Sequence, residues 1–273
     1  MAYLFDNISA FDSPLFIAKD TTDSVINLLN TSGMSISSDL GSITNGAYLY
    51  DYTALNQATL VCGGAYNQFV IDLGVGITKT ADTIIMANYT NASAGATTIT
   101  LQGSNNALNY STIYTKSNIS GTYVNFIGVG SNSTAYRYYR IIFFFYIPTT
   151  TYVGELILCK STNLIYSALP GGVMSIVNNY FEKVSYNELV DGSFIGAITS
   201  VKYGATYGYE WLPQADRDTL KTLKDTKTDI IVIPSPQTTS ELYHVYWTSP
   251  WNFSFTDKYQ GAGWSGSIDV REL

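Results

Sequence analysis

Apolar and polar residues alternate with a period of two along much of the first 160 residues. Phe69, Ile71 and Leu73 fall on one side of a segment that has Val70, Asp72 and Gly74 on the other. Ile99 and Leu101 alternate with Thr98, Thr100 and Gln102 in the same way. Such alternation predicts half-buried strands. Thr83 to Ala87 is a continuous apolar run, and further strands are predicted over 110–114, 123–127, 136–146 and 152–158. Gly, Asn and Ser break these runs roughly every 10 to 15 residues, which predicts a β-sandwich. Residues 13 to 30 read equally well as a short helix or a strand.

The pattern changes near residue 165. Between Asp82 and Arg137 the only charged residue is Lys116, whereas Glu182, Lys183, Glu188 and Asp191 crowd together later. Pro170-Gly171-Gly172 lies between the two regimes and predicts a boundary. The domains expected are 1–165 and 173–273. In the second, strands are predicted over 192–203, 206–212, 229–233, 242–247, 251–257 and 263–272. One helix is predicted from Pro213, with Leu220 and Leu223 on its buried face. The fold class is all-β (mainly β): a sandwich followed by a smaller domain with one helix.

Composition narrows the function. The chain has 273 residues, a formal net charge of −7, 13% charged residues and 23 Tyr. The acidic balance excludes a nucleic-acid surface, which needs a basic stripe. The longest apolar run, Ile141 to Ile147, is far short of the roughly 20 residues of a membrane helix, so no membrane insertion is expected. No signal peptide is visible in the first ten residues. Cys62 and Cys159 are the only thiols and are expected free. A single histidine, His244, argues against a zinc site and against His-based nucleophilic catalysis. The carboxylate pairs Asp216/Asp218 and Glu188/Asp191 carry no glycosidase motif. No enzymatic activity is expected. Arg137 and Arg140, three apart, are expected on opposite faces of their strand, one of them paired with a carboxylate.

Four segments carry a family resemblance: Ile71-Asp72-Leu73-Gly74, Ile99-Thr100-Leu101-Gln102-Gly103-Ser104-Asn105, Arg137-Tyr138-Tyr139-Arg140-Ile141 and Gly154-Glu155-Leu156. In this order they resemble the discoidin, or coagulation-factor 5/8 type C, domain over residues 60 to 160. The resemblance implies a jelly-roll sandwich of the galactose-binding-like class. It implies no required cofactor and leaves room for a structural calcium at Glu155. The family's Asp-Gly-rich segment and its terminal disulfide have no counterpart here. Candidates for a sugar-facing aromatic are Tyr48, Tyr50, Tyr52, Tyr66 and Tyr89, since tyrosine offers an apolar face and a polar tip. Tyr48, Tyr50 and Tyr52 read equally as one face of a strand.

The last 100 residues resemble the small β-barrels of tailed-phage tail adaptor and hub proteins. The resemblance rests on Tyr207-Gly208-Tyr209-Glu210-Trp211, on Asp216-Arg217 with Leu220, and on a closing strand that ends in Glu272. Together the two resemblances imply a structural virion protein of a tailed bacteriophage, assembled in the host cytoplasm. Its partners would be other tail proteins, further copies of itself and a host-surface glycan. Trp211, Tyr246, Trp247, Trp251 and Trp264 are the expected assembly surface, since Trp and Tyr are enriched in interfaces. Residues 1–165 alone are then expected to be a soluble monomer. The alternative is a surface or secreted bacterial carbohydrate-binding module without catalytic activity.

Overall fold

The computed structural model describes residues 2–6, 14–18, 25–62, 64–91, 97–119, 121–145, 149–166, 173–188, 194–225, 229–258 and 261–273. The Pro170-Gly171-Gly172 signal and Asp191 lie outside the described residues. The chain is mainly β and divides into two compact units. The first comprises residues 1–168 and 231–242, and the second 169–230 and 243–273. Residues 231–242, inside the span expected for the second domain, thus group with the first unit.

The first unit contains β1 (Ala2–Asp6), β2 (Leu15–Ala18), β3 (Ser35–Leu40), β4 (Ser42–Thr44), β5 (Ala58–Cys62), β6 (Tyr66–Asp72) and β7 (Thr83–Asn91). It continues with β8 (Thr97–Ser104), β9 (Ser111–Ile119), β10 (Thr122–Val129), β11 (Tyr138–Phe145), β12 (Thr149–Val153), β13 (Glu155–Cys159) and β14 (Leu164–Tyr166). One sheet runs β3-β6-β11-β8-β9. The other runs β1-β10-β7-β12-β5-β4, with β13 also on β7. The two sheets pack face to face. Phe69, Ile71, Leu101, Ile141 and Phe143 of the first meet Ile84, Met86, Phe126, Leu156 and Leu158 of the second in one core.

The two sheets differ on their outer faces, and the sequence pattern shows why. Burial alternates along β11 and along β8 as far as Gly103, so the five-stranded sheet has one solvent face. Thr83 to Ala87 of β7 is buried on both faces. Ile84 and Met86 point into the sandwich, while Ile85 and Ala87 join a second core with Ile127, Ile157, Leu15, Ile17 and Ile231. That outer layer is built from β14, β2 and β17 (Ile230–Ile233), in this order. A continuous apolar run is what a doubly covered strand requires.

The second unit contains β15 (Val173–Glu188), β16 (Phe194–Leu212), α1 (Gln214–Asp225), β18 (Tyr243–Trp247), β19 (Ser254–Lys258) and β20 (Gly261–Glu272). Its ladders are antiparallel in the order β15-β16-β20-β18, with β19 on β20. The helix starts where the sequence predicts. The Pro213 carbonyl accepts the Arg217 N–H, and Leu220 and Leu223 are buried. Tyr203 and Tyr207 are buried too, with their hydroxyls 2.8 Å apart, and the Tyr203 ring stacks 3.8 Å from Tyr243.

Candidate functional site

Three of the four family-like segments become neighbours in the five-stranded sheet, while Gly154-Glu155-Leu156 lies in the other sheet. Asp72 ends β6 beside Tyr138 at the start of β11, and Tyr138 faces Ser104 at the end of β8. Arg137 donates from Nε and Nη2 to the Asp72 carboxylate at 2.7 and 2.8 Å. The Arg137 backbone N–H donates to Asn105 Oδ1 at 3.0 Å. This two-pronged pairing holds the Asp72 carboxyl below its ordinary range, helped by the Gly74 N–H. Gly103 has a separate reason to be glycine, because a Cβ there would sit 2.1 Å from the Tyr136 ring.

The expectation that Arg137 and Arg140 point to opposite faces is corrected. Arg137 precedes β11, so strand alternation does not govern it. Its guanidinium turns back over the Tyr138 ring, 4.7 Å from the centroid, to reach Asp72. Asp72, Tyr138 and Arg140 share the solvent face of the five-stranded sheet. That face also carries Val70, Gln102, Thr100, Ile142, Phe144 and Tyr66.

Glu155 occupies the other distinctive position. It opens β13, is 0% exposed, and accepts the Tyr52 N–H at 3.0 Å through Oε2. Its Oε1 is buried with no hydrogen-bond partner. Burial, and then the charge of Asp51, push its carboxyl up to about 9. The adjoining segment is tightly shaped. Tyr52 has φ 59°, the Thr53 N–H donates to Asp51 Oδ1, and Asn56 Nδ2 donates to Asp51 Oδ2. A Cβ on Gly154 would meet the Ala54 carbonyl oxygen at 2.4 Å, which accounts for the glycine before Glu155. A buried carboxyl with one unanswered oxygen must hold either a proton or a cation. Glu155 and Asp51 are the carboxylates here that would serve a hard cation such as calcium, whereas the Thr53 and Ala54 carbonyls already accept the Asn56 N–H and Asn88 Nδ2. Among the described residues no cluster of three His, Cys, Asp or Glu side chains exists that could hold a metal by side chains alone.

The five candidate tyrosines do not form one surface. Tyr89 is 0% exposed and lies in the sandwich core, 6.4 Å from Phe143 centroid to centroid; it is a core residue, not a sugar platform. Tyr50 packs against the same core, and Tyr52 against the second one. Tyr48 sits on a 3₁₀ turn over Gly46–Leu49, so 48, 50 and 52 are not one face of a strand. Tyr66 is exposed on the five-stranded sheet, 5.6 Å from Phe144.

In the second unit the aromatic residues layer against α1. The Arg217 guanidinium lies 4.5 Å from the Trp264 ring and 5.3 Å from that of Trp251, and Lys224 Nζ lies 5.2 Å from the Trp247 ring. Trp264 Nε1 donates to Gln214 Oε1, and Trp247 Nε1 to Ser249 Oγ. Trp211, at φ 61°, is half-buried. Among the described residues, Tyr246 and Phe255 are the exposed aromatics of this unit. Cation–π cover takes up part of the Trp surface that sequence reading left for an interface.

His244 and Asp218, two of the residues weighed for catalysis, have structural partners. Burial lowers the His244 pKa, and His244 Nε2 lies 3.6 Å from Asp229. Asp218 accepts from Gln214 and Arg217. Cys159 is a free thiol in the core, raised by burial.

No family model matches the chain, and no curated protein matches it significantly. Among solved structures, a GH29 fucosidase of Ruminococcus gnavus in complex with fucose aligns at 13% identity and TM-score 0.40, over 50% of this chain and 26% of that one. A CBM32 module produced by Clostridium perfringens aligns at 15% identity and TM-score 0.38, over 50% of this chain and 99% of that one. A chitosan-binding module from a chitosanase/glucanase of Paenibacillus sp. IK-5 aligns at 16% identity and TM-score 0.38, over 48% and 97%. The chain thus spans about a quarter of the fucosidase's length and nearly all of each module's, while half of this chain has no counterpart in any of the three.

Proposed function

We propose that this chain is a non-catalytic carbohydrate-binding protein whose sandwich presents a glycan-binding surface. The observation that carries the reading is the interlock of Asp72, Arg137 and Asn105. Three separate discoidin-like segments converge there. The paired Asp72 and Arg137, and the single, partly buried His244, offer no acid/base set for hydrolysis. The solved structures with a similar sandwich include sugar-binding modules, in keeping with this reading.

We further infer that the protein is a tail component of a tailed bacteriophage, located in the virion. The sandwich would face the host glycan, and the second unit would hold other tail proteins or copies of this chain. Tyr246 and Phe255, exposed at 37% and 54%, are two described aromatics of that unit suited to such contacts. Repetition around a symmetric tail would raise avidity without a strong single site. The second reading is a secreted or surface bacterial module with the same sugar-binding sandwich. Co-sedimentation of the full chain with insoluble cell-surface polysaccharide tests the binding. Immunolabelling of purified phage particles tests the location: labelled tails support the virion reading, and unlabelled tails with the protein in the culture medium support the second.

A further inference from the structure

We propose that the solvent face of the five-stranded sheet binds an acidic sugar, with the carboxylate of a uronic acid held by Arg140. This rests on the carbohydrate-binding reading and names the sugar class. Arg140 lies on β11, the middle strand of the sheet, in a cross-strand row with Val70 and Gln102. Five strands about 4.8 Å apart make a face roughly 20 Å across, wide enough for several sugar rings.

The guanidinium is already oriented. It lies 3.8 Å from the centroid of the Tyr110 ring. Nε and Nη2 both donate to Gln102 Oε1, at 2.9 and 2.5 Å. Gln102 is fixed in turn, because its Nε2 donates to Thr112 Oγ1 at 3.1 Å. An arginine has five N–H donors. Two are used on the Nε side, and of the three that remain, one on Nη1 and one on Nη2 point end-on together. That end-on fork matches a carboxylate in two-point contact.

The charge is also unanswered. Arg137 has Asp72, and Lys116 has Asp6 at 2.6 Å. Arg140 has a neutral amide and a ring, with no carboxylate partner among the described residues. A neutral sugar would leave that cation as it is, whereas a uronate would neutralise it. Thr100, Thr112 and Ser37 nearby on the face supply hydroxyls, and Ile142 and Phe144 supply apolar surface, as a sugar ring with polar edges and C–H faces requires. Ordering the arginine in advance lowers the entropic cost of binding.

The test is calorimetric titration of the full chain with tetragalacturonate, with its methyl ester, and with inorganic phosphate as competitor. The acid should bind about tenfold or more tightly than the ester, since charge-assisted hydrogen bonds are lost on esterification. Added salt should weaken the acid alone. Arg140→Gln should bring the acid down to the level of the ester. Gln102→Glu supplies an internal carboxylate to Arg140 and should do the same with the fold intact by thermal melting, which keeps the test decisive if the arginine variant misfolds. Equal binding of acid and ester, or acid binding unchanged in both variants, overturns the proposal and leaves the carbohydrate reading standing. Phosphate competing as strongly as the sugar acid shows a general anion site and overturns the sugar class. No binding to either oligosaccharide or to any polysaccharide overturns both readings.

Discussion

The side-chain amide of Asn125 donates to the carbonyl oxygen of Pro236 at 2.7 Å, across 111 residues of sequence. The same nitrogen donates to the Thr239 carbonyl, also at 2.7 Å. Asn125 is on β10, facing away from the sandwich core, and is fully buried. It ties the 231–242 segment onto the outer face of the larger sheet, beside the layer formed by Ile85, Ile127, Ile157 and Ile231.

Asn125→Ala should therefore destabilise the protein by roughly 2 kcal/mol or more, since it leaves buried carbonyls without a donor. Chemical denaturation of the full chain measures this. The expectation that residues 1–165 alone are a soluble monomer is revised, because that fragment lacks the segment that covers Ile85, Ile127 and Ile157. It should aggregate or self-associate in sedimentation analysis, and restoring solubility should require residues 231–242.

The Asp72–Arg137 pair sets a dependence on acid. The folded carboxyl is held below its unfolded value, so the pair contributes stability above the ordinary carboxylate range and loses it as pH falls through the folded value. Asp72→Asn should lower the melting temperature at neutral pH and flatten its decline as pH falls through and below the ordinary carboxylate range. A decline as steep as in the unmodified protein would show that another carboxylate carries it.

Glu155 titrates in the opposite sense. Its carboxyl is raised from 4.5 to about 9, so the folded chain binds a proton that the unfolded chain has released, and stability falls as pH rises between these values. In chelator, Glu155→Gln should remove that fall, because the amide oxygen still accepts the Tyr52 N–H and carries no charge. Calcium should raise the melting temperature of the unmodified protein at pH 8 more than at pH 5, and should leave the variant unaffected. A calcium response retained in Glu155→Gln would place the ion elsewhere.

Gly103→Ala should cost about 1–3 kcal/mol, because the new methyl would overlap the Tyr136 ring, which packs edge-on to the buried Tyr139. Gly76→Ala is the control for chain position: its surroundings are open, so only its φ of 77° opposes the change.

Much of the sandwich was legible in residue order. Alternation located β6, β8 and β11, and the Thr83–Ala87 run located β7. What escaped notice has physical reasons. β3 reads Ser-Ile-Ser-Ser-Asp-Leu, an edge strand with little apolar surface to betray it. β15 carries Glu182 and Lys183 within a strand that pairs only with β16, so its pattern is that of a charged edge. The placement of 231–233 depended on contacts with residues distant in sequence, such as Ile85, Ile127 and Ile157, which local pattern does not encode. Tyr89 follows the Thr83–Ala87 run on the same strand, and residue order does not say whether its ring faces the core or solvent. Glu155 was singled out by resemblance, whereas its unpartnered oxygen and the adjacent Asp51 emerged only from the packed loop. Arg140 was visible; its open fork depended on where Gln102 and Tyr110 lie.

The most direct measurement is affinity electrophoresis of the full chain in native gels that contain soluble bacterial surface polysaccharides, paired with an assay for new reducing ends. Retardation in at least one polysaccharide, growing with its concentration and with no reducing ends released, is the predicted result. Migration unchanged across acidic and neutral polysaccharides alike, or release of reducing ends abolished by mutating a single acidic residue, would contradict a carbohydrate-binding protein without catalysis.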